Sequence, residues 1–207
     1  IPVEFGGLGM GLTEAVLALE ALCSSGGGAA PFIGYTFGTL GAHIIRLHGN
    51  NMQKEKYLPG LATGKVRTAL GVTEPDAGTN TLNIRTFAKR RGDCYVINGS
   101  KTFISLIGDA QAITLVTRTS RREEMSKDSF GISVFLVDLP NDAIRFTPIP
   151  KHGMNYYPVY EVGIDNLVVP EKCLLGEEGK GWFHLLEGLN PERIFEAAAA
   201  IGAGSLA

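Results

Sequence analysis

From residue 66 onward the sequence changes texture, and that change constrains the fold more than any single motif. The segments "VRTALGVT", "NIRTFAKR", "DCYVIN", "KTFIS", "AITLVTRT", "FGISVFLVDL", "IRFTPI" and "VYEVGIDNLVV" follow one another as short β-branched or aromatic runs. Runs of this length and composition read as strands, and no helix-length pattern separates them. A Rossmann-type sheet needs a helix between successive parallel strands, so a barrel or sandwich is expected instead. Two turn signals lie among the runs: "RRGD" ahead of Cys94, and Asn98-Gly99, which has the composition of a type I′ hairpin. Together they predict three successive antiparallel strands.

The flanks are helical. In "EAVLALEALC" the apolar positions 16, 17, 19 and 22 suit an amphipathic helix, with Thr13 as its N-cap. A second helical pattern follows Thr36 and stops at Gly49, and a third, "MQKEKYLPGLA", is broken by Pro59 and Gly60. After "LLGEEGKG", an apolar stripe of Trp182, Leu185, Leu186 and Leu189 predicts another helix, which is expected to stop and restart with Asn190 as N-cap and Pro191 at the first helical position. The expected fold is therefore α+β: N-terminal helices over 1–66, a central antiparallel β-barrel domain over 67–177, and helix again over 178–207.

Composition narrows the function. The formal net charge is −2 with 19% charged residues, so nothing favours a polyanionic partner, and nucleic-acid binding is not expected. The three cysteines are far apart and odd in number, and His43 and His48 are five residues apart, so neither a disulfide framework nor a metal site is read; a reducing compartment is the default. The mixed-sign run "RTSRREEMSKDS" reads as a solvated loop. The stretch 21–45 lacks Asp, Glu, Lys and Arg, but its glycines and "SSGGGAAP" predict two buried helices joined by a turn and not a membrane span. The sequence opens at Ile1 with no signal-peptide pattern and ends in an alanine-rich helical run, so a longer working protein is expected.

Nucleotide fingerprints fail on context. "GAGSLA" at 202–207 has the G-x-G-x-x-A spacing but follows a helix, "GEEGKGW" lacks P-loop spacing, and "GGLGMG" follows no strand. What remains is "GVTEPDAGTN", which sets Thr73, Glu74 and Thr79 in a glycine-bearing loop at a strand end. Such a loop can aim hydroxyls and amides at a ligand, although local pattern alone favours a plain strand-ending turn. The same holds for Phe103 and Ser105, for which plain strand alternation is likewise the reading that local pattern favours.

Taken together, "LGVTEPDAGTN", "INGSKTFIS", "VPEKCLLGEEGKGW" and "GLNPERI", in this order and preceded by "IPVEFGGLGMGL" and "HGNNMQKEKYLPGLATG", resemble the acyl-CoA dehydrogenases over essentially the whole chain. Asn80 and Asn83 depart from the family's usual loop signature. The resemblance implies an N-terminal helical domain, a middle β-barrel and the start of a C-terminal four-helix bundle enclosing FAD. It implies that Leu70, Val72 and Thr73 lie against the flavin, that Thr79 meets cofactor and thioester, and that Phe103, Ile104 and Ser105 line the other side of the ring. Asn190 and Arg193 would serve the substrate, and Glu192 takes the position at which a minority of the family carries the catalytic base. The implied reaction is dehydrogenation of an acyl-CoA thioester to the trans-2-enoyl-CoA, as in fatty-acid β-oxidation. An oxidase, a flavin monooxygenase and a non-enzymatic scaffold are the alternatives on the same fold. The implied partners are an electron-transfer flavoprotein and further copies of the chain, as a homodimer or homotetramer, in a bacterial cytoplasm or mitochondrial matrix.

Overall fold

The structure, a computed structural model, describes residues 1–28 and 30–205, with 35–40 described in backbone only. Contacts divide it into two units: Ile1–Arg67 with the residues after Leu185, and Thr68–Leu185. The end of the discounted 202–207 match, Leu206 and Ala207, lies outside the described residues.

In the first unit, α1 spans Leu12–Leu22 and opens on Gly11, not on the expected Thr13, because the Glu14 carboxylate reaches back to accept the Gly11 N–H at 2.9 Å. Helix α2 spans Ala30–His48 and so begins six residues ahead of Thr36, whose side chain lies outside the described residues. Helix α3 spans Asn51–Ala62 and is capped by a reciprocal pair the sequence reading missed: Gln53 N–H donates to Asn50 Oδ1 and Asn50 N–H to Gln53 Oε1, each at 2.9 Å. It passes through Pro59 and Gly60 instead of breaking there, with Leu58 and Leu61 buried on either side of them. Gly60 serves a close approach, since a Cβ there would lie 2.3 Å from Val66 Cγ2.

Helix α4 is continuous over Gly181–Gly204, so the predicted restart at Asn190-Pro191 does not occur. Pro191 removes one helical hydrogen bond and costs about 3 kcal/mol relative to Ala in a helix interior. One long packed face outweighs that cost. A Cβ on Gly188 would lie 2.6 Å from Ile44, Phe195 and Ala199 join Leu19 and Cys23, and a Cβ on Gly202 would lie 2.5 Å from the Glu20 carbonyl. These positions recur at seven, four and three residues, a helical spacing that a break at 190 would put out of phase.

The second unit is a seven-stranded sheet: β1 (Thr68–Gly71), β2 (Phe87–Arg91), β3 (Cys94–Ser105), β4 (Ala112–Arg118), β5 (Ile132–Asp138), β6 (Ile144–Pro148) and β7 (Val159–Pro170). It is mixed and open, not the antiparallel barrel expected. β4 pairs in parallel with β1 and, at Arg118, with β2, while β5 runs antiparallel along its other side; β3, β7 and β6 follow beyond β2. The parallel pairing arises because β1 ends in a loop, and the chain returns to it as β4 only after the β2–β3 excursion. Among the described residues β5 and β6, the outer strands, do not pair with each other. The free side of β5 is covered by 174–180 instead: Leu175 N–H donates to the Val134 carbonyl at 2.8 Å, and Gly131 N–H to the Gly179 carbonyl at 3.1 Å.

"RRGD" is a hairpin, with Arg91 opposite Cys94 and Gly92 at φ 62°. Asn98-Gly99 is not. "DCYVIN" and "KTFIS" form one twelve-residue strand, β3, and the glycine is there for a close passage: a Cβ on Gly99 would lie 2.5 Å from Thr86 Oγ1 and 2.7 Å from Thr86 Cα. The irregularity falls on the partner strand, where pairing passes from Ile97–Leu167 to Gly99–Ile164 and leaves β7 an extra residue. Asn166, at φ 50°, sits there and donates its N–H to Asn98 Oδ1 at 2.8 Å. One face of the sheet buries Ala69, Tyr95, Ile97, Ile104, Ile113, Leu115 and Phe135 in a single core. Among the described residues no helix is long and apolar enough to cross a membrane, and no group of His, Cys, Asp or Glu has the makings of a metal site.

Candidate functional site

Two strand ends meet in the second unit. Strand β1 stops at Gly71, and Val72 and Thr73 continue from it half-buried, while Leu70 lies on the face opposite the core residue Ala69. The adjoining end of β3 carries a bulge: pairing with β7 jumps from Lys101–Val162 to Ile104–Tyr160, three residues against two. The extra residue is expelled. Phe103 takes φ 58° and stands 63% exposed, while Ile104 returns to the core at 2%. An exposed aromatic in the left-handed region is costly both in conformation and in uncovered apolar area. Alternation holds across the last three residues, with Phe103 exposed, Ile104 buried in the core and Ser105 half-buried, so the Ile104 side chain packs away from the surface that carries Phe103.

The two ends are joined by the Thr102 N–H, which donates to the Thr73 carbonyl at 2.9 Å, and by a buried ion pair. Lys101 is 1% exposed, and its Nζ donates to Glu74 Oε1 and to the Val72 carbonyl, both at 2.8 Å. Glu74 also accepts from the backbone N–H of Arg85 at 2.6 Å and of Thr86 at 3.0 Å. Burial lowers the Lys101 ammonium to about 8, the Glu74 charge opposing part of that fall. Burial by itself would raise Glu74, but the Lys101 charge and the donors from Lys101, Thr86 and Arg85 together hold its carboxyl below the usual range. Lys101 was missed in the sequence because a lone lysine in a strand reads as solvent-facing, and its partner Glu74 lies 27 residues earlier.

Thr73 Oγ1 and Ser105 Oγ, both on half-buried residues, have no hydrogen-bond partner among the described residues. Thr79 lies farther along the loop and is exposed. That loop is closed on itself, with Thr81 Oγ1 donating to the Gly78 carbonyl at 3.1 Å and Asn83 Nδ2 to the Asp76 carbonyl at 3.2 Å. Asn83 Oδ1 further accepts from Arg122 Nη1 at 3.0 Å, which gives that departure from the family signature a structural use.

Asn190, Glu192 and Arg193 belong to the other unit, within α4. Because they lie inside the helix, Asn190 is not the cap expected, and Glu192 has no helix N-terminus beside it. Asn190 Oδ1 instead accepts from Arg193 Nη1 at 3.0 Å. Glu192 is half-buried, and its carboxyl is pushed up to about 7, first by burial and then by Glu196 one turn on, against the pull of Arg193.

Comparison with known proteins bears on both units. Residues 1–65 match the acyl-CoA dehydrogenase N-terminal domain, and residues 69–167 match the acyl-CoA dehydrogenase middle domain. The chain is 36% identical over 207 residues to the acyl-CoA dehydrogenase fadE12 of Mycobacterium bovis, covering 100% of this chain and 52% of that protein. Its fold is similar to that of glutaryl-coenzyme A dehydrogenase in complex with glutaryl-CoA, at a TM-score of 0.89 and 32% identity, over 98% of this chain and 51% of that one. A solved FAD-dependent dehydrogenase matches at a TM-score of 0.91 and 25% identity, over 100% of this chain and 56% of that one. The chain thus spans about half the length of the relatives it matches. Two domain patterns of one family, met in order along the chain and covering both the loop after β1 and the bulge in β3, settle its kinship: it belongs to the acyl-CoA dehydrogenase family.

Proposed function

We propose that this chain serves the FAD-dependent α,β-dehydrogenation of an acyl-CoA thioester to the trans-2-enoyl-CoA. The observation that carries the reading is the surface where β1 and β3 end: an aromatic ring held out at positive φ, flanked by the unpartnered hydroxyls of Thr73 and Ser105. That donor set fits a flat heteroaromatic ring with polar edges, and FAD, when bound, would supply the hydride acceptor of the reaction. Phe103 would pack on the ring, Thr73 and Ser105 would hydrogen-bond its edge, and Leu70 and Val72 would close its apolar side. Ile104 would contribute backbone only. Thr79 would reach both cofactor and thioester.

Glu192 would take the proton from the carbon alpha to the thioester carbonyl. A carboxyl pushed up to about 7 is matched to that work, since a base titrating near the working pH is both available and strong enough. Arg193, tied to Asn190, would limit the rise and help set the charge near the base and the substrate. An electron-transfer flavoprotein is the proposed electron acceptor, a homodimer or homotetramer the assembly, and a bacterial cytoplasm or mitochondrial matrix the setting.

The test begins with heat release and identification of the bound flavin. Anaerobic mixing with a series of acyl-CoA thioesters follows, read as loss of the yellow absorbance. A well-folded protein that takes up no flavin on reconstitution would refute the reading.

A further inference from the structure

The hydroxyls of Thr73 and Ser105 lie on chain segments that no strand ladder joins. β1 pairs with β4, and β3 pairs with β2 and β7. Between the ends of β1 and β3 the backbone makes the Thr102-to-Thr73 hydrogen bond, and beyond it the connection is the Lys101 ammonium. From β3 that ammonium reaches the Val72 carbonyl directly, and through Glu74 it reaches the amides of Arg85 and Thr86. One side chain thus ties three segments, and it does so one residue before the bulge that expels Phe103.

A buried ion pair is a poor device for stability alone, because apolar side chains of like volume commonly serve as well or better. What it adds is direction: the ammonium must point its protons at fixed acceptors, and the carboxylate must meet fixed amides. We propose that Lys101 and Glu74 are positioning residues for the flavin, setting the spacing between the Thr73 side and the Phe103–Ser105 side of the surface that grips it. This rests on the flavin reading above. It assigns to the pair a role in the geometry of the site, beyond holding the sheet together.

The experiment uses the flavoprotein with Lys101→Met, Glu74→Gln and the double substitution Lys101→Met/Glu74→Leu. Three quantities are read on each: thermal unfolding of the apoprotein, flavin affinity on reconstitution, and the visible circular dichroism of the bound flavin. Lys101→Met is expected to destabilise the apoprotein and to weaken flavin binding at least tenfold. Glu74→Gln keeps one acceptor oxygen, which serves the amide of Arg85 or of Thr86 but not both, and is expected to alter the flavin dichroism while the apoprotein stays folded. The double variant leaves no buried charge unpaired, so it should be more stable as apoprotein than Lys101→Met, though short of wild type because the Arg85 and Thr86 amides lose their acceptor, and it should keep the weak binding and altered dichroism. Any folded variant of the set with wild-type flavin affinity and dichroism would overturn the proposal and leave the pair a structural one. Absence of flavin from the wild-type protein would instead defeat the flavin reading itself.

Discussion

Gly99→Ala tests the passage of Thr86 across β3 and, through it, the anchoring of the loop after β1. The new methyl group would lie 2.5 Å from Thr86 Oγ1 and 2.7 Å from Thr86 Cα. Rotation of the threonine side chain relieves the first contact but not the second, so the backbone itself must move. It is held on both sides: Thr86 N–H donates to Glu74 Oε1 at 3.0 Å, and the Thr86 carbonyl accepts from Arg118 N–H at 2.8 Å. Overpacking of this kind costs about 1–3 kcal/mol, and losing the hydrogen bond to the Glu74 carboxylate adds about 1.5–3 kcal/mol. The expected loss is about 2.5–6 kcal/mol for a single methyl group. Had Asn98-Gly99 been an exposed hairpin turn, the same substitution would cost about 1 kcal/mol. Urea unfolding followed by far-ultraviolet circular dichroism and Trp182 fluorescence measures the difference, and hydrogen exchange at the Thr86 amide reports whether that bond to Glu74 has opened. A loss near 1 kcal/mol with unchanged Thr86 exchange would refute the reasoning.

Two further predictions concern the site. Phe103→Ala should leave thermal stability within about 0.5 kcal/mol, because the ring is 63% exposed, yet it should weaken flavin binding several-fold; a large stability loss with flavin binding intact would show the ring to be structural. Glu192→Gln should abolish flavin bleaching in an anaerobic single turnover. In the unsubstituted enzyme the bleaching rate should climb as pH rises through about 7, since the base acts only when deprotonated and burial holds its proton to that pH. A rate flat across that range, or near-normal bleaching by the variant, would return proton abstraction to another residue.

The local signals that proved legible were those whose cause is local. The Gly92-Asp93 hairpin needs only two residues and the pair that closes it, and the alternation of helical flanks with strand runs is written in side-chain type. The signals that misled share a different origin. Gly99 and Gly60 read as a turn and a break, but each is small because a residue outside its own turn, Thr86 or Val66, comes close to it. Pro191 read as a helix start, and the face that carries α4 past it is completed by α1 and α2, far off in sequence. Lys101 shows the same limit from the other side: nothing near it in sequence announces that Glu74 waits to receive its charge.

The cover on the free side of β5 has a consequence for how this protein would fail. β5 reads "ISVFLVD", with its first six residues buried, and 174–180 runs along its free side, bridging at Ile132–Lys180 and Phe135–Leu174 and donating the Leu175 N–H to the Val134 carbonyl. A chain stopped before Leu174, or nicked there and unzipped, would leave the free side of β5 open along six residues that carry no charge, Ile132 to Val137. Such an edge recruits other strands, and copies of itself are the nearest supply. The turn that leads into α4 is therefore also a guard against self-association, and damage to it would show first as loss of solubility, before any change in the chemistry.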